Sequence, residues 1–384
     1  MEKASTASSQ TVAPSQMIQV RFATNRNQTS DDCLFGSAFR SVPPLFVTGT
    51  IDVYDRGGSP NPNWCPDRKS LQIDPIPRAA TSSIPEAVAA APSTTDRITA
   101  FIDELVQNEA KTVGSGSPGS GIVFLPGFNS TFVNTMSCSA QIASAYAASK
   151  VFCFSWPSQG KFGLNPYLTD EKSAYASGSA IAFALGVAFS KLRSLAKSDR
   201  PPLHIVCHSM GNRALSAAIQ HISVSAPEIL SESYFEYAVL AAADEDDNAL
   251  DEPNKLKRLL TLATNIDIYT NEFDLAMFLS SLVNLHPPLG SFGPANFGRL
   301  PNQVVWIDCT DVGNTYENDG SSDWGHQYFR NSQPVTADID QVLQGVAPDK
   351  VEPRIPDTNF PTRKFVIPFS DSSPWARRRG YRGA

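Results

Sequence analysis

The stretch Leu203-His-Ile-Val-Cys-His-Ser-Met-Gly-Asn-Arg213 constrains this chain more than any other. Apolar residues climb to Ser209, Gly211 follows two positions later, and an Ala-rich segment of helical composition begins at once. A strand, a sharp turn and a helix in that order make a nucleophile elbow, which holds the serine out on a strained turn. Residues two before and two after the serine must be small, so that strand and helix backbones can approach. Gly211 meets this need, and Cys207, small enough, stands where the first glycine usually does.

A serine hydroxyl is a weak nucleophile and needs a base with an orienting acid. With this elbow the chain order is serine, acid, histidine. The histidines are His204, His208, His221, His286 and His326. His204 and His208 lie on the strand entering the elbow and are read as pointing away from the turn, and His221 comes late on the following helix. His286 sits in a stiff Leu-His-Pro-Pro segment with no strand before it. His326 follows the apolar strand Val304–Asp308 and a polar loop, where a base-bearing loop belongs, and is the expected base. The strand Asn265–Thr270 precedes Asp274, the favoured acid; Asp244 and Asp246, after the strand Tyr237–Ala242, are the runners-up.

Two backbone donors are also needed for a tetrahedral oxyanion. The Met210 amide, directly after the serine, is one. The buried strand Gly121–Pro126 leads into Gly127-Phe-Asn-Ser130, where Gly127 permits a turn closed to other residues and Phe128 offers the second amide. The plainer reading is a strand-to-helix turn capped by Asn129, Ser130 or Thr131, and the two are compatible.

Taken together, Phe22-Ala-Thr-Asn-Arg26, Leu125-Pro-Gly-Phe-Asn129, Phe154-Ser-Trp-Pro-Ser-Gln-Gly160, Cys207–Arg213, the Asp274 region and Gly325-His-Gln-Tyr-Phe329 carry a resemblance. The chain resembles an alpha/beta-hydrolase, more narrowly a largely uncharacterised bacterial family once catalogued as a domain of unknown function. The resemblance covers about residues 17–345 and implies a Ser/Asp/His hydrolase without supplying a substrate. The expected activity is carboxylic-ester hydrolysis on a small-molecule ester. Amide, thioester or lactone cleavage with the same residues stays open, as does a non-catalytic binding protein on this scaffold.

Strands alternating with helices imply an α/β fold with a mostly parallel sheet and helices on both faces. Ile18–Thr24 and Leu45–Val53 read as strands, Thr95–Glu109, Thr131–Ala148 and Glu171–Lys197 as helices, and Val151–Phe154 as a strand. The expected organisation is a disordered segment 1–16, a single domain 17–345 elaborated over 17–120, and an extension 346–384 with a basic tail. Trp156 and Gln159, leaving the strand beside the oxyanion loop, are expected with Asn129 to line the substrate pocket. Residues 284–302 read as a wall or partial lid.

A net charge of −7 argues against a nucleic-acid surface. No apolar run reaches the roughly 18–20 residues of a membrane span, and Met1–Pro14 lacks the apolar centre of a secretion signal, so cytoplasm is the expected location. The six cysteines show no paired metal spacing; neither metal nor cofactor is expected, and Cys33 and Cys65 are expected to stay unpaired. Oligomeric state is not legible.

Overall fold

The computed structural model describes residues 16–31, 34–41, 44–57, 63–75, 92–112, 120–146, 148–284, 286–315 and 323–369. Its strands are β1 (Gln16–Thr24), β2 (Arg26–Gln28), β3 (Phe35–Phe39), β4 (Val47–Asp55), β5 (Trp64–Pro66), β6 (Gln72–Ile73), β7 (Ser120–Leu125) and β8 (Ala148–Ser155). There follow β9 (Leu203–His208), β10 (Phe235–Ala241), β11 (Ala263–Thr270), β12 (Val304–Asp308), β13 (Ile355–Pro356) and β14 (Lys364–Val366). Its helices are α1 (Pro92–Thr112), α2 (Phe132–Ala145), α3 (Leu164–Ala176), α4 (Gly178–Arg193) and α5 (Gly211–Ser225). The remainder are α6 (Leu259–Leu262), α7 (Leu275–Ser281), α8 (Leu289–Phe292), α9 (Tyr328–Asn331) and α10 (Gln333–Leu343).

One sheet runs in the order β13-β14-β12-β11-β10-β9-β7-β8-β1-β4-β5. From β14 to β1 neighbouring strands are parallel, and β4 then pairs antiparallel with β1. The central strands β7 and β9 are buried at every position, which is why Ser-Gly-Ile-Val-Phe-Leu and Leu-His-Ile-Val-Cys-His read as unbroken apolar runs. Helices cover both faces. On one, α1, α4 and α5 pack Ile102, Phe189 and Leu215 against Ile205 and Leu240; on the other, α2 and α10 pack Phe132, Met136 and Ile339 against Ile122 and Val239. This is the alpha/beta-hydrolase architecture.

The helix read over Glu171–Lys197 is two helices, α3 and α4, bent by 41° at Ser177. Gly178 lies so close to α5 that a Cβ there would stand 2.6 Å from Ala217 Cβ. The Ser177 hydroxyl donates to the Ser173 carbonyl and accepts from Asn25 Nδ2, which fixes the bend. No single helix among the described residues is long and apolar enough to cross a membrane. Within 346–384, β14 joins the main sheet beside β12, an extension of the sheet that no motif signalled. The segment 1–16 falls outside the described residues save for Gln16, and Cys33 and the tail from residue 370 also lie outside them.

Candidate active site

Ser209 sits on the turn between β9 and α5 at φ 52, a left-handed conformation disfavoured for a side-chain-bearing residue. The strain is held from several sides. The Ser209 amide donates to the Ala241 carbonyl at 3.0 Å, and its carbonyl accepts from the Asp244 amide at 3.1 Å and from Asn212 Nδ2 at 3.0 Å. Gly211 is required by proximity, since a Cβ there would lie 2.3 Å from the Leu125 carbonyl oxygen. Cys207 is fully buried and burial pushes its thiol pKa up, so it is an inert small residue of the elbow.

Asp274 and His326 come together. Nδ1 of His326 is 2.6 Å from Oδ2 of Asp274, and both side chains are buried. Asp274 Oδ1 also caps α7, accepting from the Ala276 and Met277 amides at 2.9 and 3.0 Å. Dipole partner and histidine partner are therefore one carboxylate, its two oxygens divided between the roles. Burial disfavours the His326 imidazolium, but the charge and hydrogen bond of Asp274 outweigh it and raise the pKa above 6.5. Nε2 of His326 is buried and makes no hydrogen bond within the protein, so Ser209 Oγ does not engage it in this arrangement.

Asp244 is occupied elsewhere. It accepts from Tyr167 Oη at 2.9 Å, from Ser280 Oγ at 2.7 Å and from Arg213 Nη2 at 3.1 Å, all buried. Asp246 pairs with Lys255. His286 is half exposed, 3.8 Å from Asp247.

The loop after β7 runs past the elbow. Gly127 is needed for a different reason than its sequence suggests: its φ is not left-handed, but a Cβ there would lie 2.6 Å from Ser209 Cβ. The left-handed residue of the loop is Asn129, at φ 60. Among the described residues, neither the Phe128 nor the Met210 backbone N–H has an acceptor within the protein. A cleft of about 640 Å³ opens here, bordered by Gly127, Phe128, Asn129, His208 and His326.

Two expected lining residues are elsewhere. Trp156 is fully buried, and its indole Nε1 donates to the Pro126 carbonyl at 2.8 Å, so it clamps the loop after β7. Gln159 does not border the cleft; its amide donates to Asp170 Oδ1 at 2.9 Å. The 284–302 segment is no wall either. No described residue of it borders the cleft; it packs on the loop after β10, where the Gly290 amide donates to the Ala243 carbonyl and a Cβ on Gly290 would stand 2.3 Å from the Ala243 nitrogen.

Several supporting residues escaped the sequence reading. His208 points toward His326: its Nε2 lies 2.9 Å from the His326 carbonyl, and its ring stacks on Phe329. Burial, then the neighbouring His326, depresses its pKa, so it is a neutral Nε2–H donor that pins the His326 loop. Arg26, fully buried, donates to Ser155 Oγ and to the carbonyls of Ser130, Ser158 and Gly36. Burial lowers its pKa to about 9, against the support of Asp170. Asp170 in turn accepts from Ser158 Oγ and from the Asn129 and Gln159 amides. Phe22–Arg26 flagged Arg26 without its role; nothing local to Asp170 signals its own.

No curated protein matches this chain. Residues 103–345, well over half of it, match the family model described as alpha/beta hydrolase of unknown function (DUF900). The sheet order, the elbow at Ser209 and this match agree, and the chain belongs to that alpha/beta hydrolase family.

Proposed function

We propose that the protein is a serine hydrolase cleaving carboxylic esters, with Ser209 as nucleophile, His326 as base and Asp274 as orienting acid. One observation carries the reading: the 2.6 Å contact of Asp274 with His326 Nδ1 leaves the buried Nε2 uncommitted, and His326 borders the cleft that the loop after β7 also lines. Catalytic hydrogen bonds to a serine are often long without substrate and tighten in the complex. Holding the proton on Nδ1, Asp274 selects the tautomer whose Nε2 lone pair can accept the serine proton.

In the proposed reaction Ser209 Oγ attacks the ester carbonyl carbon while His326 Nε2 takes its proton. The C=O electron pair moves onto oxygen, where the Phe128 and Met210 amides receive it. Collapse expels the alkoxide, which takes the proton from His326, and leaves an acyl-serine. Water, deprotonated by His326, then repeats the sequence and releases the acid. Each oxyanion donor in such sites contributes about 3–4 kcal/mol to the transition state. Labelling by a fluorophosphonate, which needs an activated serine, tests the reading. Wild type is expected to label at Ser209 and turn over p-nitrophenyl esters. Folded wild-type protein that neither labels nor hydrolyses would instead favour the binding-protein reading.

A further inference from the structure

Two large aromatic side chains stand at the cleft with nothing in the catalytic scheme to explain them. Trp324 and Phe162 both border it, and they remain 46% and 49% exposed. Their ring centroids lie 4.7 Å apart, with the planes tilted by 49°. Phe162 also meets Phe128, at 6.1 Å, and Phe128 carries the amide assigned to the oxyanion. The two rings therefore form a wall continuous with the reacting centre.

The backbone is arranged to keep them there. Trp324 adopts φ 62, a region unfavourable for a bulky side chain, although the next residue, Gly325 at φ 70, makes the same kind of turn without penalty. Its carbonyl accepts from the Leu275 amide at 3.1 Å, which joins the loop of the base to the residue after the acid. Phe162 lies between Gly160 at φ 64 and Gly163 at φ 130, and a Cβ on Gly160 would strike Thr131. Nearly half of each ring still faces solvent beside the cleft. An apolar group of a bound molecule would cover that surface.

We propose that Trp324 and Phe162 form the subsite for an aromatic or similarly bulky, flat apolar group of the ester. The natural substrates would then be aryl-bearing esters rather than small aliphatic ones. This inference rests on the serine-hydrolase reading for its chemistry, but the contact itself needs no turnover. A flat group lying against the tilted rings gains dispersion and edge-to-face contact that a methyl group cannot provide.

The test compares each variant with wild type on 2-naphthyl acetate and on methyl acetate, so that intrinsic ester reactivity cancels. Trp324→Ala and Phe162→Ala are each expected to lower kcat/KM for the naphthyl ester about tenfold more than for the methyl ester, chiefly through KM. Trp324→Gly, suited to the left-handed backbone, should give the same selective loss, and Trp324→Phe should recover most of it. Equal losses on both esters, or none on either, would overturn the assignment. A second arm uses Ser209→Ala, which binds without cleaving, and follows 2-naphthyl acetate by equilibrium dialysis. Adding Trp324→Ala or Phe162→Ala should weaken that binding about tenfold, and unchanged affinity would overturn the subsite. Selective binding with neither hydrolysis nor fluorophosphonate labelling in wild type would reject the hydrolase reading and leave the aromatic subsite supported.

Discussion

At the scale of single residues, the proposed reaction makes rate depend on three side chains and two amides. Ser209→Ala and His326→Ala are each expected to abolish ester turnover without loss of fold, followed by kinetics and circular dichroism. Asp274→Asn should cost several decades in kcat, because an amide NH₂ can favour the wrong tautomer. It also removes the charge that raises His326. The base works when neutral, so kcat/KM should rise with pH through a limb above 6.5 in wild type, and that limb should move to lower pH in Asp274→Asn. The same pair affects stability with the opposite slope. His326 binds its proton more tightly folded than unfolded, so this stabilisation is full below about pH 6.5 and is lost as pH rises through the folded pKa. Gly127→Ala should cripple turnover, since its Cβ would fall 2.6 Å from that of Ser209. Ser209, Asp274 and His326 could be singled out in the sequence because each follows a strand end, where loops of this topology converge. Trp156 was misread because a strand-end position does not say which way a ring turns. Its indole went to the Pro126 carbonyl and into the core.

At the scale of elements, two buried arginines decide where the loops lie. Arg26 links β2 to the carbonyl of Ser130 in the loop after β7, to Ser155 at the end of β8 and to Ser158 beyond it. Arg26→Met leaves those acceptors without a donor. It is expected to lower kcat at least tenfold while KM changes less, as the Phe128 amide loses its support. Arg354 has the same importance at the other edge. It donates from Nε and Nη2 to Asp338 and reaches Asp267 at 3.3 Å, with 1% of its side chain exposed. Removing one member of a buried ion cluster leaves the others uncompensated. Arg354→Ala should therefore destabilise the fold by about 3–5 kcal/mol, measured by urea denaturation, and loosen β13 and β14 from the sheet. Neither arginine's task could be read from its neighbours in sequence. Ser130 lies 104 residues from Arg26, and Asp267 lies 87 residues from Arg354.

At the scale of the whole molecule, acid stability should be governed by the buried titratable groups of the central sheet. His204, on β9, has both ring nitrogens buried without partners, and burial lowers its pKa to about 4. Between about pH 6.5 and 4 the unfolded chain binds a proton there that the folded protein refuses. This site then removes about 3 kcal/mol as pH falls through that window. Asp267 works the other way, because burial raises its pKa to about 6. The contribution of His204 is isolated by comparing His204→Leu with wild type. The variant's melting temperature should drop less steeply with acid, and parallel slopes would contradict the assignment.

What the sequence by itself determined is whatever rests on local chemistry. Unbroken apolar runs of this length, alternating with helical segments, read as buried parallel strands, and small residues about a serine between such a run and a helical segment read as an elbow. An aspartate and a loop histidine, each after the carboxyl end of a parallel strand, are brought to one edge of such a sheet. The tertiary structure alone decided which acid meets the histidine, because Asp244 and Asp274 both follow strands, and only packing gives one to Arg213 and Tyr167 and the other to His326. It also decided that His208 faces the His326 loop and that Trp324 and Phe162 border the cleft together. Contacts across a hundred residues or more depend on helix bends and strand order, and these are set by the core as a whole.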